Sequence, residues 1–357
     1  MIELSVVLIS KNQAWNISRL IESVLQATSS FLSSEIILVD SNSTDATVEF
    51  ASRYPISIVR LWPGQRLSPA AGRYIGYQRT RGEFVLFLDG DMDLLQGWLG
   101  PALQAMRGTP KAGLMLSSKA IELPPAGSTV PPSPPEIICG GTPKEVSRVS
   151  FVVGGAALYR RSVLEHVGTF NPFLYSDEEP ELYLRIRHAR YRVLQLDSPI
   201  VRHYSQPQET TSGLLGRRKR NFLLGVGQCL RYHLSDELLW PYIKERGSWS
   251  LVAAFWLAAG LAGILLALLT RNVIWLTVWL GLSAFAIAAA ALKKCSLRRA
   301  LVAAFHRLLM VEGLIRGFLM KPLPPESYPQ NAEVLQSVDS SRAFAEPQRE
   351  AVRLNHM

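Results

Sequence analysis

EFVLFLDGDMD, residues 83–93, decides how this chain folds. Phe84 to Leu88 is an unbroken apolar run the length of one buried strand, and Asp89-Gly90-Asp91 follows it at once. A strand that is apolar on both faces belongs inside a helix-covered sheet, and polar residues just past its carboxyl end occupy the default ligand position of such sheets. Gly90 lets the backbone turn so that a carboxylate can meet a divalent ion. The alternative is a turn of solvated aspartates, with Asp93 as a third. A hard cation bound by few protein carboxylates and several phosphate oxygens is the coordination that Mg2+ or Mn2+ takes.

The same alternation extends upstream. Leu4–Ile9, Ile36–Val39 and Ile56–Leu61 read as short strands, separated by helical stretches through Leu20–Leu25, Thr44–Ser52 and Pro69–Arg79. Ser68-Pro69 is a helix start, since a serine oxygen can cap free amides and proline suits the first helical position. The pattern predicts an α/β domain with a mainly parallel sheet. Asp40 ends its strand as Asp89 does, placed either to accept hydrogen bonds from a base or ribose or to cap the next helix. Downstream, Gly154-Gly155 follows the apolar Phe151–Val153 and precedes a helix near Arg161, as a close approach to ligand or as a tight turn. Asp177, Glu178 and Glu179 stand before a helix over Glu181–Arg190. Crowded acids raise a carboxyl pKa toward that of a general base, and helix N-termini also favour acids. His203, after Ile200–Val201, is a metal ligand or a structural histidine. The proline-rich stretch between Glu122 and Val146 is too long for a plain connection and reads as a cover over a binding site.

Charge and hydropathy divide the chain further. Residues 1–211 hold 20 Lys and Arg against 20 Asp and Glu, so the net charge of +9 arises downstream, from residues 212–247 (7 against 3), Arg271 and residues 293–321 (7 against 1), set against the tail from Pro322 (3 against 5). Between these lie two uncharged stretches, Trp249–Thr270 and Val273–Leu292, each long enough as a helix to cross a bilayer. Small residues on both, such as Ala258–Gly260, Gly263 and Ala288–Ala291, would let the helices pair closely. Basic residues beside a span suit an anionic membrane surface, and nothing else points to nucleic acid. Lys244, Arg246, Lys293, Lys294, Arg298 and Arg299 place both outer ends on the cytoplasmic side. The N-terminus lacks a basic region before its short apolar run, so it does not read as a signal peptide, and three scattered cysteines fit a reducing compartment. The expected domains are 1–211 catalytic, 212–248 a basic amphipathic interfacial segment, 249–292 a transmembrane hairpin, 293–321 an amphipathic juxtamembrane helix and 322–357 a polar tail.

Five blocks in order, LVDSNSTDAT (38–47), SPAAGRYIG (68–76), EFVLFLDGDMD, GGAALYRRSVLEHVGTF (154–170) and SDEEPELYLRIRHARYRV (176–193), resemble the inverting glycosyltransferases of family 2. The resemblance covers about Met1 to Tyr204 and implies the GT-A fold, a Rossmann-like nucleotide-diphospho-sugar transferase domain. It implies that Ile9, Ser10 and Asn12 contact the nucleotide, although Lys11 stands where many members have an aromatic or small residue. By the same pattern Asp40 meets base or ribose, and Arg73 lies near the diphosphate, with Tyr74 replacing the usual asparagine. Asp89 and Gly90 face the donor, Asp91 is the metal ligand with Asp89 facing ribose or metal, and Gly154 and Gly155 line the donor-sugar and acceptor pocket. Glu179 is the base, or Glu178 if Pro180 shifts the register by one, and His203 completes the metal shell.

The basic segment and hairpin resemble membrane-anchored members that use polyprenyl-phosphate or other lipid acceptors. The expected activity is Mg2+- or Mn2+-dependent inverting transfer from a nucleotide-diphosphate sugar to a membrane-associated acceptor, at the cytoplasmic membrane. Arg217–Arg220 would bind acceptor phosphate or headgroups. The rivals are a soluble acceptor and a catalytically silent nucleotide-sugar-binding scaffold. The latter need not keep Asp91 and Glu179 together. A polymer synthase is disfavoured by having only two spans and by the missing Q-x-x-R-W signature.

Overall fold

A computed structural model describes residues 2–29, 33–123, 142–146, 155–204 and 210–338. Gly154, Cys139, the strand expected at 151–153 and most of the proline-rich stretch lie outside them. The chain forms two compact units. The first is Met1–Phe173, Glu178–Ser205 and Leu323–Met357, and the second is Leu174–Asp177 with Gln206–Pro322.

The first unit runs β1 (Leu4–Ser10), α1 (Ile17–Thr28), β2 (Ser34–Asp40), α2 (Thr47–Ala51), β3 (Ser57–Leu61), α3 (Pro69–Arg79), β4 (Phe84–Asp89), β5 (Met92–Leu94), α4 (Leu99–Gly108), β6 (Ala112–Leu123), β7 (Lys144–Glu145), β8 (Ala157–Arg160), α5 (Arg161–Val167), α6 (Glu178–His188), β9 (Arg192–Tyr204) and, far downstream, β10 (Ala332–Gln336). One sheet has the order β10-β3-β2-β1-β4-β8-β6-β9-β5, with β7 pairing β9. The expectation of a mainly parallel sheet holds for β3, β2, β1 and β4. Beyond β4 the sheet is mixed, with β8 antiparallel to β4 and to β6, and β6 parallel to β9. β8 has only four residues, too short a run for periodicity to reveal its direction. Two apolar layers cover the faces, one built on Leu4, Val6, Leu8, Ile17, Leu20 and Trp98, the other on Val7, Val39, Ile75, Phe87, Tyr159 and Phe170.

The described part of the expected polar tail, from Leu323 on, belongs to this unit. β10 pairs antiparallel with β3, and Tyr328 is buried against Tyr74 and Phe173 while its hydroxyl donates to the Arg66 carbonyl at 2.7 Å. A five-residue edge strand that buries none of its side chains fully carries too little apolar signal to stand out, yet it covers the unpaired groups of β3. The first compact unit thus takes in residues beyond 211, and residues 174–177 group with the second unit.

The second unit holds α7 (Thr211–Lys219), α8 (Gly225–Tyr232) and α9 (Leu239–Tyr242), followed by a π-helical turn over Ile243–Gly247. Its long helices are α10 (Ser248–Thr270), α11 (Ile274–Lys294) and α12 (Leu297–Leu319). Leu239–Thr270 and Ile274–Lys294 each contain an 18-residue window of high mean hydropathy, 2.4 and 1.9, and both helices are long and apolar enough to cross a membrane. Described residues cover little of this surface: Phe255 is 75% exposed and Leu268 74%. A hairpin serving as the core of a soluble domain would be buried. The pairing centres on Trp256 and Trp279, which stack at 6.2 Å, while Trp256 Nε1 donates to Ser283 Oγ at 3.0 Å and Gly260 makes room for the Trp279 ring. Segment 212–248 is not a free interfacial surface throughout, because Gly225–Leu230 is buried and Arg218 is tied to Glu312 of α12 at 2.7 Å.

Candidate active site

Parallel register brings the first group of residues together. Ser10 of β1 lies beside Asp40 of β2, and Ile9 beside Asp89 of β4, so three strand ends open at one level. Asp40 is fully buried; its Oδ2 accepts from the Ser43 amide (3.0 Å) and Arg60 Nε (3.1 Å). Its Oδ1 and Ser10 Oγ are buried without a hydrogen-bond partner in the protein. Asp40 thus shapes its turn and keeps one enclosed carboxylate oxygen outside the protein's hydrogen bonds. Asn12 stands in the left-handed region (φ 55°), donates its amide to Ser43 Oγ and accepts from the Thr44 amide, which joins the β1 loop to the β2 loop.

Arg73 draws the second group together. The Ser68 hydroxyl caps α3 by accepting from the Ala71 amide at 3.2 Å, and one turn later Arg73 is 1% exposed. Its Nη1 donates to Glu178 Oε1 at 2.8 Å and its Nη2 to Asp89 Oδ1 at 2.7 Å, with Glu179 Oε1 at 3.6 Å. The Gly155 amide donates to Glu179 Oε1 at 2.9 Å. The family resemblance set Arg73 beside a diphosphate; in the structure its guanidinium meets three carboxylates from two distant blocks. The fork of a guanidinium suits this, since a lysine could not hold two carboxylates in one plane.

Three carboxylates around one cation cannot all ionise freely. Burial pushes Glu179 up to about 7, with Glu178 and Asp89 pushing the same way, while Arg73 and the Gly155 amide pull it down. Burial also raises Asp89 against the pull of Arg73. Asp177 is not in this group. In the second unit it accepts from Arg246 Nη2 at 2.6 Å and from the Tyr242 hydroxyl, so the three acids are not one crowded cluster. α6 starts at Glu178, three residues before the expected start, and Pro180 sits in its first turn, where a missing amide hydrogen costs little.

Gly155 has φ +86° and its missing Cβ would lie 2.2 Å from Asp89 Oδ2. Gly155→Ala must displace either the Asp89 carboxylate or the amide that holds Glu179. Steady-state transfer assays should show turnover down on the order of 100-fold, the scale for a misplacement of about 1 Å. Unchanged turnover would show that the contact does not matter.

The third group flanks Asp91. β5 pairs antiparallel with β9, setting His203 opposite Met92, and the Tyr204 amide donates to the Asp91 carbonyl at 2.9 Å. His203 Nε2 lies 3.6 Å from Asp91 Oδ2. Among the described residues no three His, Cys, Asp or Glu side chains cluster as a closed metal cage. One carboxylate and one imidazole fit an ion that draws its remaining ligands from phosphate and water. Asp89, whose Oδ1 is held by Arg73, is less available for that role than Asp91. Two residues went unnoticed in the sequence. Asn16 Nδ2 donates to the Gly90 and Met92 carbonyls (3.1 and 2.9 Å), and the Tyr204 hydroxyl donates to Asp93 Oδ2 at 2.7 Å. Both brace the Asp-Gly-Asp turn from distant elements, and neither sits in a local pattern.

Residues 5–168 match the family model described as glycosyl transferase family 2. The chain is 26% identical over 252 residues to the glycosyltransferase AglE of Haloferax volcanii, covering 70% of this chain and 80% of that protein. It is 25% identical over 206 residues to an uncharacterized glycosyltransferase of Haemophilus influenzae, covering 56% and 67%. The mannosyltransferase PcManGT from Pyrobaculum calidifontis, solved in complex with GDP-Man and Mn2+, shares the fold with a TM-score of 0.58 at 16% identity over 89% of this chain and 87% of that one. With the ordered blocks and the GT-A sheet, the family match makes residues 5–168 of this chain a glycosyltransferase domain of family 2.

Proposed function

We propose that this glycosyltransferase takes a sugar from a nucleoside-diphosphate donor by metal-assisted inverting transfer and passes it to an acceptor held at a membrane. The observation that carries the reading is the Glu179 carboxylate, held by the Gly155 amide and joined through Arg73 to Asp89 at the end of β4. The free oxygens of Asp40 and Ser10 would receive base or ribose, next to Ile9 and Asn12. Asp91 and His203 would hold Mg2+ or Mn2+, whose charge would offset that of the departing diphosphate. The GDP-Man and Mn2+ bound by the Pyrobaculum protein support this choice of donor and metal. Glu179 takes the proton of the acceptor hydroxyl or phosphate, that oxygen attacks the anomeric carbon opposite the leaving group, and the nucleoside diphosphate departs with the bonding electrons. A single displacement inverts the carbon.

The hairpin supports the acceptor reading. α10 and α11 would span the bilayer, with Lys244, Arg246, Lys293, Lys294, Arg298 and Arg299 marking the cytoplasmic side and Arg271-Asn272 turning at the other. Enzyme anchored in this way suits an acceptor that cannot leave the membrane, such as a polyprenyl phosphate.

The decisive experiment is a nucleotide-sugar panel scored for metal-dependent binding and hydrolysis by the full-length protein. Asp91→Asn should abolish transfer and weaken nucleoside diphosphate binding only when Mg2+ or Mn2+ is present. Wild-type activity in excess chelator would remove the metal from the mechanism. Equal turnover of soluble and prenyl-linked acceptors in vesicles would remove the lipid acceptor and leave the transferase standing.

A further inference from the structure

Among the described residues, little covers one face of α12. Leu297, Leu301, Leu308, Ile315 and Leu319 are all exposed, and at 3.6 residues per turn they fall within about 40° of one another around the helix axis. Away from the stripe, on the far side of the helix, Leu309, Gly313, Leu314 and Gly317 are buried. α8 crosses there so closely that a Cβ at Gly313 or Gly317 would lie 2.2 Å from the carbonyl oxygen of Leu223 or Leu224. The apolar stripe is therefore what remains after the protein has used the rest of the helix.

Two contacts fix the direction in which α12 runs relative to the hairpin. At its start, Lys293 and Lys294 end α11, Cys295 turns in the left-handed region, and Ser296 caps α12 by accepting from the Arg299 amide at 3.3 Å. Ten residues later the Arg307 guanidinium lies over the Trp249 ring at 5.5 Å, where the uncharged run of α10 begins. These points are about 15 Å apart along α12, at 1.5 Å per residue. Both lie where the hairpin changes from apolar to charged sequence. A helix that meets this level twice runs along it. Beside the stripe, about 80–100° round the axis, stand Arg298, Arg307 and Arg316, with Lys293 and Lys294 just before the helix and Arg299 on its far side, and Glu312, the single acid in residues 293–321, is paired with Arg218 and Arg316.

We infer that α12 lies in the plane of the membrane, its leucine stripe seated among the acyl chains of the anionic leaflet from which both ends of the hairpin emerge. The stripe continues the uncovered apolar surface of α10 and α11, against which α12 packs, and the flanking cations match acidic headgroups. The inference rests on the reading of α10 and α11 as spans.

The test uses full-length protein with its native cysteines replaced by alanine, carrying one bimane-labelled cysteine at Leu301, Leu308, Arg299 or Leu265, in vesicles of phosphatidylcholine and phosphatidylglycerol. Labels at Leu301 and Leu308 should lose fluorescence to lipids brominated in their acyl chains and keep it in aqueous iodide, and the label at Arg299 should do the reverse. Quenching at Leu308 should fall in pure phosphatidylcholine, and no change there would overturn the preference for anionic lipid. Lipid quenching at Leu265 together with iodide quenching at Leu301 and Leu308 would overturn the in-plane helix and leave the spans intact. Absence of lipid quenching at Leu265 would overturn the spans, and this inference with them. Protection of Leu301 and Leu308 from both quenchers would show that a second copy of the chain covers the stripe, which also overturns it.

Discussion

Glu179→Gln should lower turnover on the order of 10² to 10⁴-fold while leaving donor affinity near wild type, because the amide keeps the shape but cannot accept the proton. Wild-type turnover should climb with pH and level off above about 7, the value to which burial pushes this carboxyl, and the climb should vanish in the variant. Glu178→Gln should cost less, since Glu178 meets Arg73 rather than the Gly155 amide. If it instead shows the large loss at unchanged affinity, the base stands one residue earlier. Stability should move in the opposite sense to activity. A carboxyl raised from 4.5 to about 7 stabilises the fold while protonated and loses that contribution as pH climbs through 7. The variant should therefore gain thermal stability over wild type above pH 7, by on the order of 3 kcal/mol if the full shift is expressed, and little at acid pH. Equal thermal midpoints across the range would mean that this carboxyl is not held neutral.

Arg73→Met should be the most damaging change to the fold. It leaves Asp89, Glu178 and Glu179 facing one another without their cation, and removing one partner of a buried ionic group costs about 3–5 kcal/mol. The loss should be worst at alkaline pH, where the carboxylates are charged, and should shrink on acidification as they take up protons. Arg73→Lys should fall between, keeping the charge but losing the two-pronged geometry. Thermal unfolding followed against pH separates these cases, and a Met variant as stable as wild type at alkaline pH would show that the carboxylates do not depend on the guanidinium.

Much of this site could be read along the chain because parallel strands present their carboxyl ends together. Asp40 and Asp89 were legible from where their apolar runs stop, and Ser68-Pro69 fixed the start of α3 and thereby the depth of Arg73. What Arg73 binds was not legible, because its partners lie 16 and 105 residues away and no local period encodes them. Asn16 and Tyr204 were missed for the same reason. Register misled once: three consecutive acids look like one cluster, but a left-handed Asp177 (φ 64°) turns the first away from the other two. β10 stayed hidden because this edge strand buries none of its side chains fully.

β10 also bears on how the molecule is made. The sheet is complete only when residues 332–336 reach β3, and roughly 120 residues of the second unit are synthesised between β9 and that event. Chains fold from the N-terminus as they emerge. β3 therefore remains an open edge, able to pair with a neighbouring nascent chain, until the hairpin has been translated and its helices delivered to their own surroundings. A shortened protein that stops before the hairpin would keep every residue of the carboxylate cluster and still lack the strand and the buried Tyr328 that close the sheet. A soluble version must carry residues 323–338 across a linker in place of the second unit. The order of translation thus makes completion of the sheet a late step, after the hairpin has been made.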